Sequence, residues 1–127
     1  MPTGKKKALP LTIFLMKVSV KYSSIFYTKA KKFLKKFPTL ADELSQLEAA
    51  ILENPTMGES IGKGLYKVRL ASKSKAKGKS GGFRVVNYLV TKQQNEIIVT
   101  VVVIYDKSEE ANIHKDTLLK MIDALED

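Results

Sequence analysis

Seven stretches of the chain carry a pattern of apolar and polar positions. In "IFLMKVSVKY", residues 13–22, Met16, Val18 and Val20 alternate with Lys17, Ser19 and Lys21. A period of two is the signature of a half-buried strand. The next stretch changes period. Phe26, Ala30, Phe33, Leu34 and Phe37 fall on one face of a helix predicted from Ile25 to Phe37, with Ser24 as its cap, and lysines cover the rest. Pro38 ends it. Thr39 is the expected cap of a second helix, with Asp42 and Glu43 near its positive end. Leu40, Leu44, Leu47 and Ile51 form its apolar stripe, and the two helices make an αα-hairpin. "TMGESIGKG" reads as a loop.

The second half of the chain returns to period two. "LYKVRLAS", residues 65–72, puts Leu65, Lys67, Arg69 and Ala71 on one face and Tyr66, Val68 and Leu70 on the other. "FRVVNYLVT", residues 83–91, and "EIIVTVVVIYD", residues 96–106, follow, the last nearly all β-branched, as befits a central strand covered on both sides. A final helix is predicted from a Ser108 cap to about Leu125, with Leu118, Met121, Ile122 and Leu125 buried. The order β-α-α-β-β-β-α predicts an α+β fold: a mostly antiparallel four-stranded sheet packed by an N-terminal αα-hairpin and a C-terminal helix. The 127 residues suit one domain, here 13–127, preceded by a basic tail at 1–12. The apolar run after the first lysines is broken by Lys17 and lacks a small-x-small site, so it reads as a tail leading into a strand, not as a secretion signal.

Charge changes the picture through its distribution. The net charge is +9, and it is arranged in blocks. Residues 1–41 hold ten lysines and no acid, and 42–59 hold five acids and no base. Residues 60–105 hold nine Lys or Arg and one acid, Glu96. Blocks of one sign give a face of one sign, and a basic face suits a polyanion. The chain has no cysteine and one histidine, His114, which excludes thiolate and His-rich metal sites. No run approaches the ~18–20 apolar residues of a membrane span. No cofactor is expected, and the scarcity of acids on the predicted strands argues against a metal-dependent nuclease.

The candidate chemistry lies in the cations. Lys67 and Arg69 share one strand face, and Arg84 opens the next strand, close to the Arg69 end if the two strands pair. Arginine offers bidentate donors and lysine a mobile charge, together a phosphate clamp. Between them lies "SKSKAKGKSGG", whose Gly-Gly would let the chain approach a polyanion closely. Its Gly78-Lys79-Ser80 lacks the upstream glycine and following helix of a P-loop. Lys107 precedes a helix start, a mild anion site. His114, alone one turn into the last helix, is a weak catalytic candidate. A solvated, decorative surface explains each piece but not their common sign.

These residues resemble the RelE/ParE toxin superfamily, and most of all its HigB-like branch. The resemblance runs from about Tyr22 to Leu125 through "FLKKFPTLADEL", "LENPTMGESIGKGLYKVRLASKSKAKGKSGGFRVV" and "IYDKSEEANI". It implies the same element order. It also implies a toxin held inactive by a cognate antitoxin of helix-turn-helix type, acting in the cytoplasm, with operator DNA met only through that antitoxin. RelE-like members cut messenger RNA, usually on the ribosome; ParE-like members inhibit DNA gyrase without cleaving anything. Carried over, the nuclease positions are Lys67, Arg69, Arg84 and Lys107. RNA-binding cations would be Lys73, Lys77 and Lys79, with Lys29, Lys32, Lys35 and Lys36 on ribosomal RNA. Where some members use a tyrosine in the last helix, this chain has Ile113 beside His114.

Chemistry then suggests a metal-independent endoribonuclease that uses the substrate's 2′-hydroxyl as nucleophile. Arg84 would stabilise the phosphate, Arg69 would position it, and Lys67 is the first candidate for the base, its pKa lowered by crowded like charges. Lys79 or Lys107 would be the acid. The alternatives are a ParE-like gyrase inhibitor, a degenerate toxin, and a plain RNA-binding module.

Overall fold

The computed structural model describes residues 16–75, 82–92 and 95–125, with backbone only at 110–112. Its centre is the β-branched run, strand β5 (Glu96–Asp106). From Val101 to Tyr105 every side chain on it is buried, because apolar layers cover both faces. It pairs in parallel with β1 (Lys17–Tyr22) and antiparallel with β4 (Phe83–Lys92). β4 pairs antiparallel with β3 (Leu65–Leu70), which in turn pairs with a short β2 (Glu59–Gly62). The sheet order is β1-β5-β4-β3-β2.

The architecture is the expected α+β fold with five strands where four were expected. β2 comes from "ESIG" in the stretch read as a loop. Four residues between glycines carry no alternation to read, and an edge strand needs none.

Helices α1 (Ser24–Lys36) and α2 (Leu40–Glu53) cover one face of the sheet. Phe26, Ala30, Leu40, Leu47 and Ile51 meet Val68, Leu70, Phe83, Val85, Val99 and Val101 there. The other face carries Leu65, Val86, Val103 and Tyr105, against which Leu118 and Ile122 of α3 (Lys115–Asp123) pack. A bulge sets this partition. The register passes from Val86↔Val103 to Asn87↔Val101, so Val102 is one residue too many. The extra residue reverses the alternation of β5, moving Val103 and Tyr105 to the α3 face. The carbonyl of Val102 accepts from Ser23 Oγ at 2.6 Å, and that of Val101 from the Ser23 amide at 3.1 Å.

The same Ser23 Oγ accepts from the Phe26 amide at 2.9 Å, so Ser23 caps α1, not its neighbour Ser24. Of the two serines, Ser23 is the one with extended backbone geometry (φ −79°, ψ 162°) and a bulge carbonyl within reach. Thr39 makes no cap bond for α2. Its hydroxyl bonds Glu43 at 2.9 Å and Ser74 at 2.6 Å instead, fastening α2 to the segment after β3. The last helix also starts later than expected. Asp106 accepts from the Ser108 amide and Glu109 from the Asp106 amide, each at 2.9 Å. These local bonds hold Lys107–Asn112 as a 3₁₀ turn ahead of α3.

Candidate active site

Period two in β3 and the hairpin register with β4 build the site. Arg69 stands directly opposite Arg84, and Arg84 opposite Tyr105, in one row across three strands. Lys67 lies in the next row, opposite Val86 on one side and Glu59 on the other. All lie on the sheet face that α3 packs against. Lys67, Arg69, Arg84 and Lys107 line one cavity of about 610 Å³, together with Met57, Gly58, Glu59 and Val68. The four cations carried over as catalytic candidates are thus gathered around a single space.

Their settings differ. Arg84 is only 4% exposed. Its Nη1 donates to the carbonyl of Phe83 at 3.3 Å. Arg69 and Lys107 are exposed, and Lys67 is half-buried. Among the described residues, one carboxylate shares the cavity. Glu59, from the unexpected β2, is exposed and lines it. Sequence reasoning missed it because no signal marked "ESIG" as a strand in register with Lys67.

On the side of the sheet that carries α1 and α2, an ion pair holds the end of β5. Lys75 Nζ donates to Asp106 Oδ2. The ammonium also sits over the rings of Phe83 and Phe37, at 5.0 and 5.4 Å from their centres. Burial pushes the Asp106 carboxyl up, but hydrogen bonds from Lys75 and Ser108 outweigh it, and the pKa is held below the ordinary carboxylate value. Glu43 behaves alike: burial raises it, and bonds from Ser72, the Lys73 amide and Thr39 bring it below its usual value. Both carboxylates anchor residues 72–75, next to the glycine-rich segment.

Of the Gly-Gly pair, Gly81 lies outside the described residues. Gly82 has φ +72°, and a β-carbon there would lie 2.5 Å from the Leu70 carbonyl oxygen. The close approach that demands glycine is therefore to the protein's own backbone. The Gly82 carbonyl accepts from the Lys107 amide at 3.4 Å, tying the hairpin to the end of β5.

The other candidates are scattered. Lys77 and Lys79 lie outside the described residues. Lys73 is exposed, does not line the cavity, and uses its amide to bond Glu43 Oε2 at 2.8 Å. Lys29, Lys32, Lys35 and Lys36 belong to α1, on the opposite face of the sheet from the cavity. Lys29 bonds Glu109 at 3.5 Å, and the other three are exposed. His114 sits at the N-cap position of α3, exposed and off the cavity lining. Ile113 packs against the α3-side core.

The model of the RelE toxin of the RelE / RelB toxin-antitoxin system matches residues 23–124. The chain belongs to the RelE toxin family. The match is to the RelE family as a whole and does not single out a HigB-like branch. The fold agrees. A solved structure of a double mutant of E. coli toxin RelE in the free state is similar at a TM-score of 0.54 and 18% identity, covering 86% of this chain and 98% of that one. No curated protein matches the sequence significantly. Membership in the RelE family implies an antitoxin partner. Among the described residues, no helix is long and apolar enough to cross a membrane.

Proposed function

We propose that this RelE-family toxin is a metal-independent endoribonuclease that cuts messenger RNA on the ribosome, in the manner of HigB-like toxins. The observation that carries the reading is the convergence of Lys67, Arg69, Arg84 and Lys107 on one cavity. RNA supplies its own nucleophile, the 2′-hydroxyl. What it lacks is a fixed set of donors for the charge that grows on the phosphate. A buried arginine flanked by exposed cations is such a set. Arg84 holds the phosphate in the transition state, Arg69 positions the strand, and Lys107 protonates the departing 5′-oxygen. The lysines of α1 lie on the far side of the sheet, where they contact ribosomal RNA rather than the scissile strand. The toxin works in the cytoplasm. It is silenced by a cognate antitoxin with a helix-turn-helix, through which alone it meets operator DNA.

The test is induction of wild type and Arg84→Ala in growing cells, with primer extension on abundant messages and a supercoiling assay in parallel. New 5′ ends inside reading frames, reduced about 10²- to 10³-fold in the variant, are the expected result. Growth arrest with intact messages and altered supercoiling overturns the reading in favour of gyrase inhibition.

A further inference from the structure

Among the described residues, four cations and one carboxylate, Glu59, line the cavity. Cleavage through the 2′-hydroxyl needs a group that accepts a proton. Guanidinium cannot, and an ammonium must first lose a proton of its own. Glu59 brings a carboxyl group to the cavity lining. It is exposed, so substrate reaches it, and it is the register partner of Lys67 across the β2–β3 pair. Directly opposed residues on neighbouring strands hold their β-carbons about 4.5–5.5 Å apart. The carboxylate therefore sits at the edge of the cationic row, beside the phosphate position rather than under it. The surplus of positive charge around it offsets its repulsion of the phosphate.

Resting on the ribonuclease reading, we infer that Glu59, not Lys67, is the general base of the reaction. The 2′-O–H proton passes to a Glu59 carboxylate oxygen as the 2′-oxygen forms its bond to phosphorus. The P–O5′ bond breaks, and the leaving oxygen takes a proton from Lys107. The products are a 2′,3′-cyclic phosphate and a 5′-hydroxyl end. Glu59 returns its proton to solvent and Lys107 regains one. Lys67 stabilises the carboxylate and the phosphate and moves no proton.

The experiment is single-turnover cleavage of a short message on programmed ribosomes, from pH 4.5 to 9 or so, by purified wild type, Glu59→Gln and Glu59→Asp. Glu59→Gln keeps the shape of the side chain and removes the base. Its rate should fall about 10²- to 10⁴-fold, with the concentration for half-saturation unchanged. The acidic limb of the wild-type profile should vanish in Glu59→Gln and persist, at lower rate, in Glu59→Asp. A message with a 2′-deoxy residue at the cleavage site should bind all three equally. A Glu59→Gln rate within about 3-fold of wild type, or an unchanged acidic limb, overturns the assignment while leaving the ribonuclease reading intact. A wild type that cuts nothing overturns the ribonuclease reading, and the assignment falls with it.

Discussion

Replacing Gly82 by alanine tests what the glycine just before β4 is for. Two costs are legible in the structure. The backbone there has φ +72°, and an L-residue in that region costs about 1–2 kcal/mol. The new β-carbon would also lie 2.5 Å from the Leu70 carbonyl oxygen and 3.2 Å from Ala71 Cα. Both obstacles are backbone, so strand β3 or β4 has to move, and overpacking of this kind costs about 1–3 kcal/mol. The sum is about 2–5 kcal/mol. For a chain of this length a kilocalorie moves the melting temperature by roughly 3–6 °C, so the drop is at least about 6 °C.

Gly62→Ala is the control. Its φ of +92° carries the same conformational cost, but the nearest atom to its β-carbon is Lys115 Nζ at 3.0 Å, the free end of a flexible chain. Only the first cost applies, about 1–2 kcal/mol. The assay is urea and thermal unfolding of the three proteins by circular dichroism, with RNA affinity measured alongside. The difference between the variants isolates the clash. If Gly82→Ala melts no lower than Gly62→Ala yet loses its affinity for RNA, the backbone argument is wrong and the glycine serves polyanion approach after all.

Asp106→Asn keeps the Oδ1 acceptor of the Ser108 amide but removes the charge facing Lys75. Because the folded carboxyl is held below its ordinary value, its contribution is complete above the unfolded pKa of about 3.9 and is lost as pH falls through the folded value. The variant should therefore be less stable by about 1–2 kcal/mol near pH 7, and the two urea midpoints should converge in strong acid; a gap that does not narrow below about pH 4 refutes the ion-pair account. Arg69→Ala, at an exposed position, should weaken binding of a non-cleavable message and lower the slope of log affinity against log salt by about 0.7; an unchanged slope removes Arg69 from the phosphate path.

How far the sequence reached depended on whether a residue's role was local. The β-branched run of β5, the stripe Leu40-Leu47-Ile51 and the alternation of β3 announce themselves, because period follows from secondary structure alone. So did the core of the site: two cations two residues apart on β3 and a third opening its hairpin partner must meet if the strands pair, and Arg69 and Arg84 do face each other. What stayed hidden were choices made by tertiary partners. Ser23 outcompetes Ser24 as a cap because a bulge carbonyl lies above it. Thr39 gives up capping because Ser74 and Glu43 are within reach. Asp106 and Glu109 turn a predicted helix start into a 3₁₀ turn. Glu59 enters the site only through a four-residue edge strand that no pattern marks.

The contrast in burial among the cations gives them different work. An exposed charge acts through water, attracts a polyanion from a distance, and is screened by salt with a Debye length of about 8–10 Å. Arg69 and Lys107 are in that regime. Arg84 is not: at 4% exposure, with strand neighbours Arg69 and Tyr105 fixed by register, little solvent competes for it. Burying a guanidinium is costly, and a sheet meant only to attract RNA would gain by placing it outside. On the proposed ribonuclease reading, a buried donor already fixed in place needs no reorganisation as charge grows on the phosphate, which is where such a donor is worth most. The two anchored carboxylates, Glu43 and Asp106, lie elsewhere. Asp106 pairs with Lys75 and Glu43 binds the Lys73 amide on the side of the sheet that carries α1 and α2, and neither is among the described residues that line the cavity. The division of labour we propose is steering by the exposed cations, charge stabilisation by the buried one, and proton transfer at the edge.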